Sequence, residues 1–151
     1  MEMKIYLDLC VYNRPFDDQH QIRIVVETLE FIFLLGKVID GDIVTINSFV
    51  LEDENSKNPY ADRKAKIDDF LKIATEYVDY DKSIENNAKE LEGYSIMAMD
   101  ALHIACAKKA RADFFVTCDD LLIKKWEKNK EKVEVKVISL MEFITKEVFK
   151  L

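Results

Sequence analysis

Met99-Asp100-Ala101-Leu102-His103-Ile104-Ala105-Cys106-Ala107, followed a few residues on by Phe114-Phe115-Val116-Thr117-Cys118-Asp119-Asp120-Leu121-Leu122, decides how this chain is read. The first piece predicts a buried helix with a carboxylate, Asp100, in its first turn. The second predicts a short apolar strand that leaves through Thr-x-Asp. A carboxylate on an apolar helix is costly to bury unless something pairs with it. A carboxylate at the exit of a buried strand sits where open α/β sheets hold their ligands. Together the two predict an acidic pocket, for which the rest of the chain supplies the walls.

Working outward, Lys4-Ile5-Tyr6-Leu7 predicts a first strand with Asp8 at its carboxyl end. Asn13-Arg14-Pro15-Phe16-Asp17-Asp18 has turn chemistry and predicts a loop, with Asp17 or Asp18 capping the next helix. Ile22, Val25, Val26, Leu29 and Phe33 recur at helical spacing, predicting a helix over 19–35 that lays this face on a sheet and stops at Gly36. Ile43-Val44-Thr45-Ile46 predicts strand two, and Ser48 a cap for a short helix through Glu52. Further helices are expected over 62–77, 83–91 (ended by Gly93), 98–109 and 121–129, the last capped by Asp120. Val133 to Ile138 alternates like an edge strand, and Ser139-Leu140-Met141-Glu142 is a capping box opening a final helix. Strands alternating with helices predict an α/β fold with a mainly parallel central sheet and helices on both faces.

The 151 residues suit one domain spanning 1–151. Three Gly and two Pro leave no room for long flexible linkers. Cys10, Cys106 and Cys118 are odd in number, widely spaced and in apolar surroundings, which argues against a disulfide framework or a zinc site and for a reducing cytoplasm. No signal-peptide layout opens the chain, and the apolar run Phe31 to Leu35 is too short to span a membrane, so no membrane role is expected. The net charge of -7 argues against a generic nucleic-acid coat. The charge is uneven, however, with 11 Lys and Arg against 8 Asp and Glu in residues 101–151. Those cations, among them Lys108, Lys109, Arg111, Lys124 and Lys125, are either solvated helix faces or a local track for a polyanion.

Asp8, Asp100 and Asp119 fall at strand exits or helix starts that converge on the carboxyl edge of a parallel sheet, and Glu52 lies on the helix after strand two. Four carboxylates so close need a counter-charge. Oxygen donors without a His–Cys cluster favour Mg²⁺ or Mn²⁺ over Zn²⁺. Such a site suits metal-assisted phosphoryl chemistry. Asp100 and Asp8 have ordinary alternative roles as a first-turn or strand-end residue. Glu52 has rival neighbours in Asp53 and Glu54, and Asp119 a rival in Asp120. His103 shares the helix face of Asp100 and is either a supporting group or a packed core histidine. Asn13 and Arg14 could touch a phosphate or simply shape the loop.

Over nearly its whole length the chain resembles the PIN domain family of metal-dependent ribonucleases, which includes the VapC-type toxins of toxin–antitoxin modules. The resemblance rests on Ile5-Tyr6-Leu7-Asp8, Ser48-x-x-x-Glu52, Asp100-Ala101-Leu102-His103-Ile104-Ala105 and Val116-Thr117-x-Asp119, in that order. It implies a three-layer α/β/α sandwich and endonucleolytic cleavage of RNA with Mg²⁺ or Mn²⁺. It carries the catalytic acids onto Asp8, Glu52, Asp100 and Asp119. Asp8, Asp100 and Asp119 would hold metal, and Thr117 would orient a carboxylate or water. It also implies a cognate antitoxin and a homodimer as partners. Leu9 and Cys10 stand where many members carry Thr and Asn. That departure motivates the alternative of a PIN-like module that binds RNA or protein but cuts weakly. A third reading, a phosphatase or receiver-like protein, lacks the second acid it wants beside Asp8.

Overall fold

A computed structural model describes residues 2–151. Five strands form one parallel sheet in the order β3-β2-β1-β4-β5. They are β1 (Met3–Leu7), β2 (Ile43–Ser48), β3 (Glu76–Val78), β4 (Phe114–Thr117) and β5 (Val137–Ser139). Ile5, Tyr6 and Leu7 of β1 and all four residues of β4 are buried, as central strands covered on both faces must be. In chain order the helices are α1 (Leu9–Asn13), α2 (Ile22–Ile39), α3 (Phe49–Ser56), α4 (Ala61–Leu71), α5 (Lys82–Glu92), α6 (Ala98–Lys109), α7 (Asp120–Asn129) and α8 (Leu140–Glu142). A π-helical stretch, Phe143–Val148, follows α8. The result is the three-layer α/β/α sandwich expected.

Chain order fixes where a site can form. From β1 the chain steps outward to β2 and β3, then returns through α5 and α6 to β4 on the other side of β1. The strand order therefore reverses between β1 and β4, and the crevice at their carboxyl ends is the switch point at which open α/β sheets place ligands. Leu7 pairs with Val116, which sets Asp8 beside Thr117 at that edge.

Several sequence expectations need correction. Residues 13–18 are not a plain loop: α1 runs through Asn13, and Arg14–Phe16 form a 3-10 turn. Neither Asp17 nor Asp18 caps α2, whose N-cap is Gln21. Gly36 lies inside α2, and the turn comes at Gly41, whose φ of 85° suits a residue without a Cβ. The inward face of α2 is Glu27, Phe31 and Leu34, whereas Ile22, Val26, Leu29 and Phe33 face outward. The helix is apolar nearly all round, and its true core stripe was disguised by a charge. Glu27 is buried because Arg14 and Arg23 both bond its carboxylate, at 2.9 and 3.4 Å. The helix expected over 62–77 ends at Leu71, because Tyr77 and Val78 take a strand edge beside β2. The strand expected over 133–138 pairs only from Val137 on, although Val133 and Val135 are buried and β5 is an edge strand as expected. Asp119, not Asp120, caps α7.

Candidate active site

Asp8 is the N-cap of α1 and is 7 % exposed. Its Oδ1 accepts from Leu9 N at 2.8 Å, and its Oδ2 accepts from the Thr117 hydroxyl at 2.8 Å. The same hydroxyl oxygen accepts from Asp119 N at 3.1 Å. One threonine thus ties the exit of β1 to the exit of β4. Asp119 caps α7 through Oδ1, accepting from Leu121 N and Leu122 N at 3.0 and 3.2 Å. Cys10 Sγ accepts from Cys118 N at 3.3 Å and lies 3.5 Å from Thr117 Oγ1, so a thiol does polar work at this exit.

Asp100 opens α6 at the same edge. Burial first, then the fields of Asp8 and Asp119, push its carboxyl from 3.8 up to about 6. Burial is the larger cause, and Asp8 and Asp119 lie near enough for their charges to add to it.

The fourth carboxylate is Glu54. Its Oε1 lies 2.8 Å from His103 Nε2, and His103 Nδ1 lies 2.7 Å from the Tyr6 hydroxyl. Tyr6 Oη lies 2.7 Å from Ser48 Oγ, which accepts from Leu51 N at 3.0 Å. A carboxylate only accepts, so an imidazole carrying one proton must donate from Nε2 and accept at Nδ1. The chain then has a single sense, from Leu51 N–H through Ser48, Tyr6 and His103 to Glu54. Tyr6 keeps its proton for this, since complete burial raises its pKa well above the usual value. Asp8, Glu54 and His103 each offer one ligand atom, all within 4.8 Å of one another. With both ring nitrogens of His103 engaged, the groups left for a cation are carboxylates. That donor set fits a hard divalent ion.

The structure does not bring Glu52 to this group. Its carboxylate accepts from Asn47 Nδ2 at 3.2 Å and from the Tyr77 hydroxyl at 2.8 Å. The helix period carried the signal that would have picked Glu54. Val50, Leu51 and Asn55 are the buried positions of α3, and Glu54 shares their side, whereas Glu52 does not. Asn13 and Arg14 line an open cleft that Glu54 also lines. Arg14 is occupied by Glu27 and by Asp17, the latter at 2.8 Å, and Asn13 Nδ2 donates to Leu9 O at 3.1 Å.

A parallel α/β protein with carboxylates gathered at its switch point is the class these observations define. The family model for the PIN domain matches residues 5–128, so the chain belongs to the PIN domain family. No curated protein matches the chain. Among solved structures it is similar to a chain of the crystal structure of VapBC2 from Rickettsia felis bound to a DNA fragment from their promoter. That chain is 18% identical with a TM-score of 0.56, and the match covers 91% of this chain and 98% of that one. At this identity the likeness speaks for the fold.

Proposed function

We propose that the chain is a metal-dependent endoribonuclease acting as the toxin of a type II toxin–antitoxin pair. PIN domains are as a family metal-dependent nucleases. The observation that carries the reading here is the gathering of Asp8, Glu54, Asp100 and Asp119 at the switch point. Among the described residues no Lys or Arg pairs with any of them, and the Glu54 carboxylate hydrogen-bonds only His103. A bound Mg²⁺ or Mn²⁺ would neutralise these acids and supply a water of lowered pKa. Asp8, Asp100 and Asp119 are the proposed metal holders. Glu54, rather than Glu52, is the proposed fourth acid. Thr117 fixes Asp8, and His103 fixes Glu54. The VapBC2 likeness and the outward apolar stripe of α2, with Leu29 61% and Ile32 55% exposed, support a protein partner.

The test is cleavage of a pool of end-labelled RNAs with Mg²⁺, Mn²⁺ or EDTA. The expected result is metal-dependent cleavage that falls more than about 100-fold in Asp100→Asn and Glu54→Gln but stays near wild type in Glu52→Gln. Cleavage that persists in EDTA, or that survives Asp100→Asn, overturns the reading.

A further inference from the structure

Beside the acids runs a cleft of about 380 Å³, walled by the end of α1, the link from α3 to α4, and Arg63 on α4. Glu54 is among its lining residues, so whatever fills the cleft borders the proposed chemistry. One wall is Lys57-Asn58-Pro59-Tyr60, and this short link is pinned. Lys57 N donates to Glu54 O, Asn58 N donates to Asn55 O, Tyr60 N donates to Asn58 Oδ1 at 3.1 Å, and Tyr60 O accepts from Lys64 N at 2.9 Å. Behind it, buried Asn55 donates to Lys64 O and to Asp68. Tyr60 is therefore a large ring, 63% exposed, on a firmly held backbone. The Arg63 guanidinium stands 5.3 Å from the ring centroid and is itself held by Asp17 and the Phe16 carbonyl.

The cations of the cleft differ in how free they are. Arg14 and Arg63 are spoken for by Asp17, and Arg14 also by Glu27. Among the described residues Lys57 meets only Asp53, at 3.3 Å, with both side chains well over half exposed. An exposed pair of this kind contributes little and exchanges readily for another anion. The cleft thus offers an available cation, an exposed aromatic face and the amide of Asn58, a few residues past Glu54. A flat ring with a nearby cation is how proteins hold nucleotides without reading sequence. The volume lies at the low end of the roughly 300–1,000 Å³ of small-ligand sites. It is of the order of one nucleotide, and a base can stack on Tyr60 only when it has no partner strand.

The geometry points to this cleft as the seat of an unpaired nucleotide flanking the bond to be cut, with its base on Tyr60 and its phosphate on Lys57. The assignment rests on the proposed nuclease activity, and it adds the residues that seat the nucleotide. The test is fluorescence anisotropy of a short labelled RNA of mixed sequence, with Mg²⁺, on an Asp100→Asn background where nothing is cut. Tyr60→Ala is expected to weaken binding about tenfold, and Tyr60→Phe to leave it unchanged. Lys57→Ala is expected to lower the slope of log affinity against log salt by about one. Binding of the same RNA as a duplex should not respond to Tyr60→Ala. Thermal melting checks that the exposed Tyr60 substitution leaves the fold intact. Equal losses on single strand and duplex, or none with Tyr60→Ala, overturn the cleft and leave the nuclease reading standing. A protein that neither binds RNA on this background nor cuts it in wild-type form overturns both.

Discussion

Asp100 links the site to stability through its proton. Its folded carboxyl titrates at about 6 against 3.8, so the folded state binds that proton more tightly than the unfolded chain. Stability therefore falls as pH rises through that window and stays lower above it. Allowing for the side chain's partial exposure, the cost at neutral pH is about 1–2 kcal/mol. Asp100→Asn should recover about that much in urea melts at pH 7.5 without metal, and should flatten the pH dependence between 4 and 6. Tyr6 makes the opposite case. Tyr6→Phe leaves His103 Nδ1 and Ser48 without their partner inside the core, and should lower stability by about 1–3 kcal/mol. The same variant should loosen Glu54, so a fall in metal affinity by titration should accompany it. The placement of Asp8, Asp100 and Asp119 at one sheet edge was legible because strand ends and helix starts announce themselves. Glu54 was hard to single out among three acids in a row, because the helix period separates them only once Asn55, a polar residue, is known to be buried with Val50 and Leu51.

At the scale of elements, α2 shows where pattern reading misleads. An amphipathic helix betrays its inner face only when the other side is polar. Here both sides are apolar, and the side that faces the core carries Glu27. Removing that carboxylate takes one of two acid partners from each guanidinium, since Arg14 keeps Asp17 and Arg23 keeps Asp120. Glu27→Ala should cost about 1–3 kcal/mol through the lost charge-assisted hydrogen bonds, read as a lower urea midpoint. The helices α5 and α6 were readable almost to the residue, since Asp81 and Gly93 bracket the first and apolar spacing fixes both. The third strand escaped notice because three residues beside an existing sheet edge need no pattern of their own.

On the scale of the molecule, a net charge of -7 must coexist with the polyanionic substrate we propose. The local arrangement divides the two. The acids lie at the carboxyl edge of the sheet, while Lys108, Lys109 and Arg111 line a cavity at the far end of α6. If a divalent ion occupies the acids, it should stabilise the folded chain by about 2–3 kcal/mol at a hundredfold excess over Kd. The corresponding rise in Tm with Mn²⁺ should be smaller in Asp8→Asn. The outward stripe of α2 yields a separate expectation. Leu29→Glu should leave the unfolding midpoint within about 0.5 kcal/mol, because the residue touches no core. It should nevertheless turn a dimer into a monomer by light scattering if a second copy covers that stripe.

The double duty of Asp119 has a consequence for observing the protein at work. One of its oxygens secures the first amides of α7, and the other is left for the acid group. Any charge drawn to that second oxygen must redistribute the first, so the opening turn of α7 becomes a reporter built into the chain. Hydrogen exchange at Leu121 and Leu122 should register occupancy of the pocket without any label placed inside it.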